Sequence, residues 1–428
     1  MNVKKLILYL VLSFLIFSIY QLFSTLTIDE IWNYGFSYNI AKGAIPYRDF
    51  NMVILPLYSI IMYIPLKLFS NNLFCFKLFN AFVFAIIIYI STNKNAFISL
   101  IIYMYILSCN PFCSYNTFIC VILMFILYYE KSNFKYKNEV IGILLGCILA
   151  TKQNIGILLF IPYILHSKKK IKSIIYYLIP ITVICIYLIF NNALFECIDY
   201  CFLGLSNFKE NFRVFSCIFL LFTILICCYL IFKYIKTKDI SYIYLLCFQF
   251  LVFPILDFYH FYVAIIPVIY YILITKNINT NLILILISLP ISILYFGIHL
   301  NNTNIQNNGI YKYTNIPKFG INYMKNVKSF FIKNKEKRVF IFTSNAYVTK
   351  IYMNQKLDKY DLINKGNMGK DENKYIREID NICKTKKCIF IINKKEFNKN
   401  SQLNPIIKQY VLKNYKYCGS KPVDYYCN

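Results

Sequence analysis

Residues 4–52 read KKLILYLVLSFLIFSIYQLFSTLTIDEIWNYGFSYNIAKGAIPYRDFNM, and the fold follows from how this stretch divides. Lys4 and Lys5 precede an apolar run that continues to about Leu26. A helix needs about 20 apolar residues to cross a bilayer, and the run supplies them. A secretory signal has a shorter core, about 7–15 residues, and a small-residue cleavage site. Neither is seen, so an uncleaved first crossing with a cytoplasmic N-terminus is expected. After it, Thr27 followed by Glu30 forms a capping box, which starts a new helix. Trp32, Phe36 and Ile40 recur on one face of that helix, with Tyr34 and Tyr38 beside them. The pattern predicts a helix lying on the outer membrane surface, ended by Gly43 and Pro46.

The rest of the chain continues the membrane pattern. Of 428 residues, 58% are hydrophobic and 15% charged, with a mean hydropathy of +0.53. A soluble domain averages about 25% charged residues, so this chain lacks the polar surface for one. The net charge of +27 is not a nucleic-acid signal. Bases that bind nucleic acid share one soluble face, whereas many here lie in short clusters between apolar runs.

Further crossings are expected at 75–92, 97–109, 117–130, 139–151, 155–165, 173–191, 212–232, 241–256, 261–275 and 281–298, with 53–69 ambiguous. Loop charge resolves the ambiguity. If 53–69 does not cross, the inner loops around residues 94, 131–137, 168–172, 233–238 and 276 carry twelve lysines. The short outer loops after residue 92 then carry Lys152, Lys209 and Arg213. Crossing by 53–69 would invert this asymmetry, against the positive-inside rule. The same rule breaks 139–165 into two helices at Thr151-Lys152-Gln153-Asn154. The expectation is an α-helical polytopic membrane protein of about eleven crossings over residues 1–299, with a first outer loop at 27–74. It is a multi-pass protein of the cell membrane with an extracytoplasmic C-terminus.

Residues 300–428 are polar and rich in Asn and Lys. Strand-like runs at Arg338–Thr343 and Lys387–Asn393 alternate with helix-like stretches at about 345–354, 370–384 and 402–414, which predicts a small α/β domain. It shows no phosphate loop, nucleophile elbow or HExxH. Of sixteen cysteines, twelve lie before residue 250, in or beside apolar runs, and read as small packing residues. Cys383–Cys388 and Cys418–Cys427 are pairings open to the last four in an oxidising space, although spacing alone does not fix them.

The first outer loop holds the candidate chemistry. Asp29 and Glu30 stand where the first crossing emerges. Both complement a helix dipole there, and Glu30 also completes the capping box. A carboxylate at the membrane boundary is a functional candidate as well. Asp49 is a further acid on that side, with a local pair to Arg48 as its plainer reading. Lys152 and Gln153 mark the outer end of a crossing, where Lys152 also suits snorkelling to the interface. Asp257-Phe258-Tyr259-His260-Phe261-Tyr262 forms another outer turn, which an aromatic belt would also explain.

The order of these parts resembles a known family. A first crossing is followed by Asp29-Glu30, an aromatic-rich helix, Gly43-x-x-Pro46-Tyr47-x-Asp49-Phe50 and Pro56-Leu57-Tyr58. It is similar to the GT-C membrane glycosyltransferases, the class of protein O-mannosyltransferases and lipid A aminoarabinose transferases, and nearest to the bacterial branch that modifies cell-envelope polymers. The likeness is tight over about residues 1–70 and looser beyond. It implies a polyprenyl-phosphate sugar donor held in the membrane lipid, and a cell-envelope glycan, lipid or protein acceptor. By resemblance, Asp29 is the general base, with Glu30 or Asp49 orienting substrate. Lys152, helped by His260, stabilises the departing phosphate, and attack opposite the phosphate inverts the anomeric centre. Tyr47, Arg48, Gln153, Asp257 and Tyr259 complete the expected binding set. Some relatives use a divalent metal and others do not; no ligand set here claims one. The first loop lacks an Asp-x-Asp pair, unlike the oligosaccharyltransferases.

Two other classes compete. A transporter or flippase for lipid-linked saccharides would show inverted repeats or mid-membrane charges, and no repeat is seen. An envelope polymer ligase or polymerase concentrates its chemistry in a large later loop. The loop at 192–211 carries Glu196, Asp199 and Glu210 without a catalytic pattern.

Overall fold

The structure is a computed structural model. It describes residues 3–24, 26–69, 71–204, 216–253, 255–275, 303–306, 309–312, 314–343, 346–363, 367–392, 403–420 and 423–427. The expected crossing at 281–298 lies outside the described residues, as do Lys209, Arg213 and Lys276.

Every other apolar run forms a helix. These are α1 (Val3–Phe23), α4 (Leu73–Ser91), α5 (Ala96–Ser108), α6 (Tyr115–Lys131), α7 (Lys137–Leu149), α8 (Gln153–His166), α9 (Lys170–Phe190), α11 (Ser216–Thr237), α12 (Ser241–Phe248) and α13 (Phe258–Thr275). Two shorter helices, α2 (Ile28–Ala41) and α3 (Leu57–Leu68), fill the first loop, and α10 (Leu194–Ile198) precedes a short π-helical turn. Side-chain oxygens of Thr27, Asn72, Asn95 and Ser114 cap α2, α4, α5 and α6, satisfying N–H groups that a helix start otherwise leaves free.

Five helices (α1, α4, α9, α11 and α13) are long and apolar enough to cross a membrane; α5, α8 and α12 with its 3-10 extension to Val252 are shorter apolar helices. The outward faces carry the same message. On α1, Tyr9, Ser13 and Phe17 point inward at four-residue spacing, while Leu8, Val11, Leu15 and Ile19 are exposed. Helix α11 exposes Leu221, Phe222, Leu225 and Phe232. Such a belt of large apolar side chains is costly in water and suits hydrocarbon.

Helices α7 and α8 are separate, with the break at Thr151 and Lys152. Glycines let them pack closely. A Cβ at Gly156 would lie 2.3 Å from the Leu149 backbone, and one at Gly146 would lie 2.2 Å from the Tyr177 carbonyl of α9. Small residues at such crossings permit backbone-to-backbone packing within membranes. This tight hairpin holds Lys152 at its tip.

The C-terminal region is α/β. Strands β1 (Thr303–Ile305) and β2 (Asn315–Pro317) form an antiparallel pair. Then come α14 (Lys318–Lys333), β3 (Arg338–Ile341), α15 (Ala346–Tyr352), α16 (Asn373–Thr385), β4 (Cys388–Ile391), α17 (Pro405–Asn414), β5 (Lys416–Gly419) and β6 (Tyr425–Cys427). The main sheet runs β3-β4-β6-β5. Strands β3 and β4 are parallel, and the other pairs antiparallel. Residue alternation explains its two buried faces. Val339, Ile341, Ile389 and Ile391 pack with Val327 and Phe330 of α14. Phe340, Phe342, Phe390 and Ile392 join the opposite core with Ile379 and Ile407. Disulfides Cys383–Cys388 and Cys418–Cys427 are both formed.

This region explains the largest departure from expectation. Helix α2 does not lie on a surface with one apolar face: ten of its fourteen residues are buried, Tyr34 and Tyr38 among them. Helix α3 packs on it from one side and α15 from another. At Gly35 an added Cβ would come within 2.9 Å of Tyr347 and 3.0 Å of Leu357. Polar contacts fix the same face. Asn39 donates to the Leu357 carbonyl at 3.0 Å and accepts from the Leu357 N–H at 2.8 Å. Asn51 donates to the Lys359 carbonyl at 2.8 Å. Residues over three hundred positions apart thus hold α2, which no local pattern reveals.

Candidate functional site

Four helices begin at one place. Asp29 lies in the first turn of α2, Tyr115 and Asn116 in the first turn of α6, and Tyr259 and His260 in the first turn of α13. Lys152 is the N-cap residue of α8. Each helix start carries the positive end of its macrodipole, so their meeting favours negative charge there.

Hydrogen bonds join these turns. Lys152 Nζ donates to Asn116 Oδ1 at 2.8 Å and stands 5.4 Å from the centroid of the Tyr115 ring. That bond turns Asn116 Nδ2 toward His260 Nε2, at 3.3 Å. Nε2 therefore accepts, and Nδ1 carries the proton toward Asp257 Oδ1 at 2.8 Å. The same oxygen accepts the His260 backbone N–H at 2.8 Å, so Asp257 caps α13. Asn33 ties α2 to α6: its Nδ2 donates to the Asp29 carbonyl at 2.7 Å, and its Oδ1 accepts the Tyr115 N–H at 3.2 Å. The Tyr259 hydroxyl bonds Ser114, the N-cap residue of α6.

The charges are poised by their surroundings. Asp29 is exposed at the start of α2, and desolvation by the surrounding protein raises its carboxyl above the usual range, opposed by His260. Burial pushes the Lys152 ammonium down to about 7, against the pull of Asp257. Burial alone would raise Asp257, but the hydrogen bond and charge of His260 hold it below the ordinary value. A carboxyl held above its ordinary range, an amine lowered to about 7 and converging helix starts suit a reaction that moves one proton and releases an anion.

The structure therefore brings together Asp29, Lys152, Asp257, Tyr259 and His260. It does not bring Glu30, Tyr47, Arg48, Asp49 or Gln153 into this hydrogen-bonded set. Glu30 turns the other way, into a buried ion pair with Lys77 of α4 at 2.9 Å; the side chains are 2% and 1% exposed. Burial raises the Glu30 carboxyl, opposed by Lys77. The Thr27 hydroxyl does accept the Glu30 N–H at 3.2 Å, which is half of the expected capping box. Asp49 pairs with Arg48 at 2.9 Å in the open and is held below its ordinary value mainly by that hydrogen bond. Tyr47 is buried, and its hydroxyl donates to the Ile54 carbonyl at 2.5 Å. Gln153 donates to the Cys201 carbonyl at 2.7 Å, anchoring the π-helical turn to α8.

Asn33, Tyr115, Asn116 and Lys77 carry these contacts without having been singled out in the sequence. A signal existed only for Lys77, a cation inside the apolar run LFCFKLFNAFVFAIIIYIS. Asparagine is too frequent here for Asn33 or Asn116 to stand out. Among the described residues, no three His, Cys, Asp or Glu side chains gather as ligands for a metal ion. Neither the protein-family models nor the curated proteins contain a match to this chain.

Proposed function

We propose that the chain is a membrane glycosyltransferase that moves a sugar from a polyprenyl-phosphate donor to a cell-envelope acceptor arriving from the aqueous side. The observation that carries this reading is the meeting of four helix starts around half-buried Lys152, with Asp29 exposed beside them. Helix N-termini and a desolvated lysine attract phosphate. The lipid-exposed helices around them suit a prenyl tail. The two disulfides favour an oxidising compartment, and their region packs directly on α2, which supports a site on that side of the membrane. About eleven crossings and a cytoplasmic N-terminus complete the orientation.

In the proposed step the acceptor hydroxyl oxygen attacks the anomeric carbon from the face opposite the phosphate. The bond from that carbon to the phosphate oxygen breaks, and the phosphate leaves with the electron pair. The Asp29 carboxylate takes the hydroxyl proton. Lys152 and the helix starts stabilise the charge that builds on the phosphate. Asp257 keeps the His260 ring oriented, and His260 with Asn116 holds Lys152 in place.

The test is release of polyprenyl phosphate and appearance of a glycosylated acceptor, using purified protein in detergent with a panel of polyprenyl-phosphate sugars. Turnover without a membrane gradient supports transfer over transport. Failure with every donor, alongside gradient-driven movement of the lipid-linked sugar, rejects it.

The same reading sets a pH profile. Asp29 must be ionised, so kcat/KM rises as pH climbs through its raised pKa. Lys152 must be charged, so kcat/KM falls as pH rises past about 7. Bound phosphate favours the ammonium, so the alkaline limb of kcat should lie above that of kcat/KM. Lys152→Arg should shift the alkaline limb to higher pH, because a guanidinium stays charged. An unchanged limb in that variant would remove Lys152 from the step.

A further inference from the structure

The sheet topology gathers lysines that are scattered in the sequence. Strand β3 starts at Arg338 and pairs in parallel with β4 from Cys388. Strand β6 ends at Cys427 opposite Ile389, and β5 starts at Lys416 opposite Cys427. All four strands thus present these ends along one rim. Lys335 and Lys337 lead into β3, Lys386 and Lys387 into β4, and Lys413 and Lys416 into β5. All six are exposed. The Arg338 N–H donates to the Lys387 carbonyl at 2.9 Å, so Lys337 and Lys387 are neighbours in the ladder.

Like charges placed side by side on a sheet repel. Glu336 is the acid next to them in sequence, and Asp358 reaches Arg338 at the rim; several other described acids of the region hold other partners. Asp358 and Asp361 hold Lys350, Glu378 holds Lys359, Asp371 holds Arg377 and Asp380 holds Lys384. Both disulfides staple this rim, one tying α16 to the start of β4 and the other tying β5 to the end of β6. Fixed repulsive charge is preorganised for an anionic partner.

Helix α16 has the Tyr375 hydroxyl donating to the Tyr200 hydroxyl at 2.7 Å near its start and ends at the rim, about 15 Å further along its axis. The strand order spreads the lysines over about 14 Å, too far for one phosphate but suited to successive charges on a chain. Nucleic-acid recognition favours arginine forks; the arginine here, Arg338, donates to Asp358 at 2.5 Å.

We propose that this rim binds a flexible polyanion with repeating phosphate charges, from the aqueous side. The interaction stands apart from the transfer reading and does not depend on it. The test uses the full chain in nanodiscs of zwitterionic lipid, with labelled inorganic polyphosphate followed by fluorescence anisotropy. One variant combines Lys335→Gln, Lys337→Gln, Lys387→Gln and Lys416→Gln. A charge-matched control combines Lys168→Gln, Lys169→Gln, Lys170→Gln and Lys172→Gln. The rim variant should bind at least about tenfold more weakly, with a shallower salt dependence, while the control stays within about twofold. Equal loss in both, or no loss in the rim variant, overturns the proposal. So does rim-dependent binding of single-stranded DNA or of anionic-lipid vesicles that exceeds binding of polyphosphate. Unchanged thermal unfolding and intact disulfides in the rim variant separate lost binding from lost fold.

Discussion

Asp29→Asn should lower sugar transfer by about 10²–10⁴-fold, the usual worth of a positioned general base, while donor binding and folding persist. The substitution keeps the shape of the side chain and removes its capacity to take a proton. Folding should survive because the Asp29 backbone carbonyl, which Asn retains, is what accepts from Asn33. The loss should appear in kcat, and the Kd for a polyprenyl-phosphate donor should stay within a few-fold of wild type. The same substitution separates Asp29 from its neighbour: Glu30→Gln should disturb stability more than chemistry, since Glu30 faces Lys77. Normal turnover by Asp29→Asn would withdraw the base assignment.

The second large effect concerns the fold. Lys77→Met should destabilise the protein by about 3–5 kcal/mol, because it strands the buried Glu30 carboxylate without its partner. One Glu30 oxygen, Oε1, already lacks a hydrogen-bond partner, so little else nearby can absorb the charge. Lys77→Met combined with Glu30→Gln should recover most of the loss, since a neutral amide is far cheaper to bury than an unpaired charge. Thermal unfolding in detergent reads the difference. If single and double variants melt alike, the pair is not what holds α2 to α4.

Helix positions were legible because hydrocarbon imposes a simple rule: an apolar run of sufficient length has to become a helix. The break at Lys152 and the two disulfides could likewise be anticipated, from loop charge and from the four late cysteines. The surroundings of α2 could not. Its aromatic spacing suits a membrane surface equally well, and it is distant contacts such as those at Leu357 and Asn354 that show protein covering it. Glu30 is another instance. Its capping position is a local property, but its partner Lys77 comes from a different helix, and sequence spacing says nothing of which helices touch. Strands β5 and β6 are short and partly exposed, so they leave almost no periodic signature. Where the helix starts meet, charged residues were visible as candidates because charge is rare in an apolar chain, whereas Asn33 and Asn116 were lost among many asparagines.

The most direct measurement is a structure of the full chain with polyprenyl phosphate bound. Phosphate density should lie within hydrogen-bonding reach of Lys152 Nζ, at the mouth shared by α2, α6, α8 and α13, with the prenyl chain leaving between lipid-facing helices and Asp29 beside the vacant sugar position. Phosphate seated elsewhere, or helix starts closed to lipid with Lys152 still bonded to Asn116, would contradict it.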